Sequence, residues 1–227
     1  ANGVELRTSM RVCRLIEGGD GEVEGVEVVG QAGERFVLKS RVVVLACNGV
    51  GTPRILLNSS SKRSKNRLGN SSDLVGRNLM LHPLGYVEGI FDEDLESNIG
   101  PQGCCIASHE FYETDDKRDF KRGYSFQVLR GPGPLETALS GVLRREIAWG
   151  SNHHSNFEKR FGRIASMSAI LEDLPDPENR VTLDNQLRDQ SGIPAPRITY
   201  ELKTNTKRMM SHALNRGREL MNAAGAR

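Results

Sequence analysis

The chain lacks any apolar run of the roughly 18–20 residues that a membrane-spanning helix needs; its longest, Val42 to Cys47, is strand-sized. It also lacks an excess of charge: 31 Lys and Arg against 29 Asp and Glu leave a net +2. So small a charge calls for neither a nucleic acid nor an anionic membrane surface as partner. Basic residues do cluster at Lys62, Arg63, Lys65 and Arg67. No aromatic side chains are interleaved there to stack on bases, so the cluster reads as a solvated loop. Cysteine is scarce, with four in all, at Cys13, Cys47, Cys104 and Cys105. No C-x-x-C or H-x-x-x-H spacing offers a zinc site, and no metal is expected. Cys104 and Cys105 are neighbours, which suits neither an ordinary disulfide nor a metal clip, so buried free thiols are expected. Free thiols lean toward a reducing compartment such as the cytoplasm. No targeting segment is visible, and location stays open. No Gly-x-Gly-x-x-Gly precedes Met10, and no histidine follows His212.

What is present is an ordinary globular composition, 37% hydrophobic and 26% charged over 227 residues, enough for one large domain or two smaller ones. Met10 to Ile16 and Glu34 to Leu38 read as strands, and Val23 to Val29 alternates like a half-exposed one. Glycine-rich turns, Gly18 to Gly21 and Gln31 to Gly33, separate them. Val42 to Cys47 is continuous and β-branched, which predicts a central strand covered on both faces. A loop follows from Leu68 to Pro83, with a short helical turn expected around Leu74 to Leu79. Further strands are expected at Tyr86 to Ile90, Ser125 to Leu129, Ile164 to Leu171, Arg180 to Asp184 and Arg197 to Tyr200. Helices are expected over Leu135 to Trp149 and Asn205 to Ala224. The second has Thr204 as its cap, Gly225 as its stop, and an apolar face of Met210, Ala213, Leu214, Gly217, Met221 and Ala224. The fold class is therefore α/β (α+β), with a mainly antiparallel second half. Domains are expected at 1–83 and 84–227.

The chemistry is sought at the elbow, "ACNGVGTP", after Val42 to Leu45. Thr52 is expected to cap a helix with Pro53 at its first position. Ala46, Gly49 and Gly51 carry little or no side chain, so a flat or phosphorylated ligand can approach the backbone. Ligands in open α/β sheets sit beyond the carboxyl ends of strands, where helix N-terminal amides face anions. The same glycines also suit a plain strand-to-helix crossover, and the pattern leaves both open. Among the histidines, His212 is expected on the surface or flank of the last helix. His153 and His154 fall in a polar loop, either solvated or lining a substrate mouth. His109 has no assigned role.

Three ordered stretches carry a family resemblance. Val42 to Ser59 (VVVLACNGVGTPRILLNS) resembles the second signature of the glucose–methanol–choline (GMC) flavoprotein oxidoreductases, matched at Thr52, Pro53, Ile55, Leu56 and Ser59. Asn48 and Gly49 stand where that family commonly has Gly-Ala, and Ser60 where it has Gly. Leu74 to Pro83 (LVGRNLMLHP) is similar to its VGxNLxxHP segment, and Asp176 to Tyr200 resembles its substrate-domain strands. The resemblance implies a two-domain enzyme with an FAD cofactor. It implies oxidation of the CH–OH group of an alcohol, polyol or sugar, by proton loss to a base and hydride transfer to flavin. It places Val12 at the adenine edge. It places Ala46, Cys47 and Asn48 at the strand end facing the cofactor, with Gly49 and Thr52 completing the elbow. His82, in "LHP", is expected near the domain junction.

The family's phosphate loop would lie upstream and its catalytic histidine downstream. The chain therefore reads as an internal fragment, inactive alone, with no catalytic residue of its own, and the electron acceptor stays unknown. A non-catalytic α/β binding module is the alternative. An NAD-dependent dehydrogenase is the third reading, and it asks for a glycine fingerprint that is absent.

Overall fold

A computed structural model describes residues 3–63, 65, 67–100 and 103–227. The elements in chain order are β1 (Arg11–Glu17), β2 (Val23–Val29), β3 (Arg35–Lys39), α1 (Asn48–Asn58), β4 (Leu84–Ile90), β5 (Cys104–Ser108) and β6 (Tyr124–Leu129). Then follow α2 (Pro134–Leu143), α3 (His153–Glu158), β7 (Ile164–Leu171), β8 (Arg180–Arg188), β9 (Pro194–Thr199) and α4 (Thr204–Ala223). The chain divides into two compact units, one of residues 1–80 and 175–201, the other of 81–174 and 202–227. Residues 175–201, expected in the second half, group with the first unit instead.

In the first unit, β1, β2 and β3 form an antiparallel meander, with Arg11 opposite Val29 and Gly25 opposite Lys39. The glycine turns close it: Gly18 N–H donates to Glu22 O at 2.8 Å, and Gly33 holds φ at 86°. Helix α1 packs on β1 through Ile55, which joins Leu15 and Leu68 in one core cluster. Its end is stitched to the same strand. Ser59 Oγ accepts from Leu15 N–H at 2.8 Å, and Asn58 Nδ2 donates to Cys13 O at 3.0 Å. The hairpin β8–β9 completes the unit. Its loop residue Asp189 accepts from Arg54 at 2.9 Å, while Arg54 Nε donates to the Pro194 carbonyl at 2.8 Å. These bonds from α1 bring 175–201 to this unit.

In the second unit, four antiparallel strands run in the order β4-β7-β6-β5. Helix α4 covers one face, burying Met209, Ala213 and Met221 against Phe126, Met167, Ala169 and Leu171. Gly217 brings α4 close to β4, since a Cβ there would press on Val87 and Phe126. Thr206 Oγ1 donates to Asp173 Oδ1 at 2.9 Å, which ties the first turn of α4 to the end of β7.

Several expectations change. Val42 to Cys47 forms no ladder with any described residue, and Val42 and Val44 are 73% and 83% exposed. Only Val43, Leu45 and Cys47 of this run pack inward. A strand needs a hydrogen-bonded neighbour, and β-branched composition does not supply one. Residues 74–79 form turns rather than a helical turn, because Asp73, Gly76 and Asn78 hold left-handed φ of 57°, 82° and 57°. Helix α2 stops at Leu143, short of the expected Trp149, and exposes Leu135, Leu139 and Leu143. His153 and His154 open a short helix, α3. Thr204 is the first residue of α4, with Lys203 at the cap position, and Met209 rather than Met210 is fully buried. Cys104 lies exposed on β5, not buried, whereas Cys13 is buried. The side chain of Cys105 lies outside the described residues. No helix among the described residues is long and apolar enough to cross a membrane.

Candidate functional site

Asn48 makes the elbow. Its φ is 59°, a left-handed conformation that Asn tolerates better than other side-chain-bearing residues. Its Oδ1 accepts from the backbone N–H of Val50 at 2.9 Å and of Gly51 at 3.0 Å. Helix α1 therefore begins at Asn48, earlier than expected, and two of its first-turn amides are satisfied from within. Thr52 does not cap the helix from outside. It sits in the first turns, where its Oγ1 accepts from Cys47 N–H at 3.3 Å. Pro53 lies inside the helix and has no N–H to offer the carbonyl of Gly49. Nothing lies within 4 Å of where a Gly49 Cβ would stand. The backbone at Gly49 is thus open on one side.

That open side faces a cleft of about 350 Å3. Gly49, Thr52, Pro53 and Leu56 form one wall, and residues 75–80 form the other. The second wall is held at both ends. Val75 N–H donates to Asn70 Oδ1 at 2.8 Å, Val181 N–H donates to Gly76 O at 2.7 Å, and Leu79 N–H donates to Asn179 O at 2.8 Å. Asn179 is itself buried and exchanges bonds with the backbone of Glu201 at 2.8 and 3.2 Å. The cleft combines an apolar lining from Pro53, Leu56 and Leu79 with bare backbone at Gly49 and the amide side chain of Asn78. It suits a flat, partly apolar ligand with hydrogen-bonding edges.

The structure brings two of the predicted residues, Gly49 and Thr52, to this cleft, while Asn48 shapes it from the elbow. Cys47 turns into the core below α1. Ala46 is exposed on the extended segment, and Val12 lies on β1 opposite Val28, outside the cleft lining. Gly76, Asn78, Leu79 and Met80 line the cleft and were not predicted. Their stretch stood out in sequence, but nothing local says that it folds against the elbow. A larger cleft, about 760 Å3, lies where β1 meets the β2–β3 turn and includes Arg11, Val29, Arg35 and Gln190. Its arginines are engaged: Arg35 pairs with Glu27 at 2.7 Å and Arg11 with Asp189 at 3.4 Å. Hydrogen bonds from Arg14, and then Arg35, hold the Glu27 carboxyl below its ordinary range. Burial pushes the Cys13 thiol up, against the nearby Arg35.

The histidines lie elsewhere. His212 sits half-buried on the flank of α4. Its ring sits among Phe111, Phe120 and Tyr124, and its Nδ1 is 2.8 Å from the Tyr124 hydroxyl. Burial first, then Arg216 and Arg118, pushes its pKa below the ordinary imidazole value. Burial likewise raises the Tyr124 phenol. His82 is exposed, with Nδ1 3.4 Å from the Leu171 carbonyl. His153 packs against Trp149, and His154 pairs with Glu158 at 3.1 Å.

Residues 1–84 match the family model described as GMC oxidoreductase. Over its whole length the chain is 35% identical to a 2-methyl-1,2-propanediol dehydrogenase of Mycolicibacterium austroafricanum, of which it covers 41%. It is 30% identical to the fructose dehydrogenase large subunit of Gluconobacter japonicus, over 82% of this chain and 33% of that one. It is 29% identical to a 6'''-hydroxyparomomycin C oxidase of Streptomyces lividus, over 98% of this chain and 38% of that one. The chain thus spans well under half the length of these curated relatives.

Proposed function

Because the chain belongs to the GMC oxidoreductase family, whose membership implies flavin binding in general, we propose that it is part of an FAD-dependent enzyme oxidising the CH–OH group of a small alcohol, polyol or sugar. The observation that carries this reading is the cleft where the bare backbone of Gly49 meets the turn of residues 75–80. The residues present fit a flavin there. Pro53, Leu56 and Leu79 give an apolar wall for a flat ring, while Thr52, Asn78 and open backbone give polar edges. Held there, a flavin would supply the two-electron acceptance that oxidation of a carbinol to a carbonyl requires.

This chain's residues hold and orient. Gly49 and Thr52 form the floor, and Asn48 fixes their geometry. Ala46 and Cys47 set the approach of the extended segment, and the backbone at Val12 takes the adenine edge. Residues 1–80 with 175–201 serve the cofactor, and 81–174 with 202–227 the substrate. No residue of this chain is assigned as the base, since His212 has its Nδ1 occupied by Tyr124 within an aromatic cage. The relative that acts on 2-methyl-1,2-propanediol supports a small alcohol as substrate.

The test is spectroscopic. The full-length protein is purified and its visible spectrum recorded, with and without added FAD. Flavin bands are expected, and Gly49→Val is expected to lower flavin occupancy. A colourless preparation that gains no flavin on reconstitution overturns the reading.

A further inference from the structure

The connection from β6 to β7, residues 130–163, contains α2 and α3, and α2 faces the wrong way for its composition. It buries Thr137 and Gly141 and turns Leu135, Leu139 and Leu143 outward, 72%, 52% and 82% exposed. Leucines at steps of four form one row along a helix face. Contacts on the other side fix that orientation. Thr137 Oγ1 donates to Gly133 O at 3.0 Å. The chain doubles back at Arg145, whose φ is 60°, and Ile147 N–H donates to Gly141 O at 3.0 Å. The Ile147 side chain then fills the space where a Gly141 Cβ would stand. Arg144 pairs with Glu88 of β4 at 2.6 Å, and Arg160 with Glu146 at 2.8 Å. Two residues past Ile147 comes Trp149, the only tryptophan of the chain, 81% exposed.

Single exposed apolar side chains need no explanation, but a row of leucines followed by an exposed tryptophan marks a contact surface. The charge of the same segment says what it contacts. Residues 130–163 carry six Lys and Arg against three Glu, a net of +3. The whole chain carries +2, so all other residues together sum to −1. The small total, which by itself calls for no anionic surface, conceals this asymmetry. Arg145 and Lys159 are both exposed. A second copy of the chain would set +3 against +3 across a symmetric contact, which opposes pairing through this face. An anionic phospholipid surface satisfies every group. Leucines enter the acyl boundary, tryptophan settles at headgroup level, and basic side chains meet the phosphates. No helix among the described residues is long and apolar enough to cross a membrane, so such a contact lies on the surface.

We infer that residues 130–163 dock the protein on an anionic phospholipid surface, through Leu135, Leu139, Leu143 and Trp149, with Arg145 and Lys159 at the phosphates. The inference is independent of the redox reading, and its readout is binding. The full-length protein is floated with vesicles of phosphatidylcholine alone, and of phosphatidylcholine with about one-third phosphatidylglycerol. Binding to the second is expected, roughly 10-fold weaker to the first, and reduced by added salt. Leu139→Ser combined with Leu143→Ser, both at exposed positions, is expected to lower binding about 10-fold at an unchanged melting temperature. Trp149→Ala is expected to weaken binding as well, and it keeps the test decisive if the leucine variant does not fold. Arg145→Glu combined with Lys159→Glu is expected to abolish the preference for phosphatidylglycerol. Protein that floats with neither vesicle, or variants that bind like the wild type, overturn the inference. A leucine variant that melts well below the wild type overturns it too, since the row then packs against more of the protein's own polypeptide. So does a leucine variant that keeps lipid binding while a dimer seen by gel filtration is lost, which gives the face to a second copy.

Discussion

Asn48 is one residue with two roles, holding a left-handed backbone and closing two amides of α1. Asn48→Ala removes both and is expected to destabilise the protein by about 1–2 kcal/mol, while Asn48→Gly, which keeps the backbone freedom, costs less. Urea unfolding of the three proteins checks the order. Equal stabilities would show that the side-chain bonds contribute nothing. His212 sets a second residue-scale expectation. Its pKa in the fold lies below the ordinary value of 6.5, owing to burial, Arg216 and Arg118, against Asp119 and Glu219. The unfolded chain therefore binds the proton more readily. Stability from this group is fully present above about pH 6.5 and is lost as pH falls toward the folded value. Thermal midpoints measured from pH 8 down to pH 5 should fall, and His212→Gln should flatten that slope. An unchanged slope would mean that another group titrates there.

At the scale of elements, the candidate site depends on how a turn meets a hairpin. Gly76 holds φ at 82°, and a Cβ at that position would run into the Val181 carbonyl of β8. Gly76→Ala is therefore expected to displace residues 75–80, costing about 1–3 kcal/mol and lowering flavin occupancy together. Differential scanning fluorimetry with flavin quantitation reads both, and unchanged occupancy would detach this turn from the cofactor. The hairpin is held in turn by Asp189, which takes Arg54 at 2.9 Å with both side chains mostly buried. Burial works against the Asp189 charge, but amides of Ile193 and Ser191 together with Arg54 prevail and hold its pKa down. Asp189→Ala leaves Arg54 without its carboxylate. Faster amide exchange is expected across β8 and β9 but not across β4 to β7. Exchange spread evenly over the chain would argue against a local tie. Most elements were legible because alternation and helical spacing are local properties. Strand β5 carries little such signal because "CCIAS" alternates weakly, and α2 ends at Leu143 although helical spacing continues beyond it, its leucines lying exposed.

At the scale of the molecule, the first unit is discontinuous in sequence. Residues 1–80 lack Asp189 for Arg54 and Ile193 for the small core of Cys13 and Val29. Expressed alone, 1–80 is expected to show no cooperative thermal transition, and adding 175–201 by a linker is expected to restore one. A sharp transition in 1–80 by itself would show that the hairpin is dispensable. The amino-acid sequence by itself determined the strand and helix positions set by period, the small-residue elbow, and three ordered motifs that name the family. These are short-range signals, written within a dozen or so neighbouring residues. Tertiary structure alone decided which partners those pieces found. It left Val42 to Cys47 without a ladder, moved the helix start to Asn48, folded residues 75–80 against Gly49, and drew 175–201 to the first unit. Each outcome depends on hydrogen bonds and packing between residues far apart in the chain, and no local pattern of residue types specifies them.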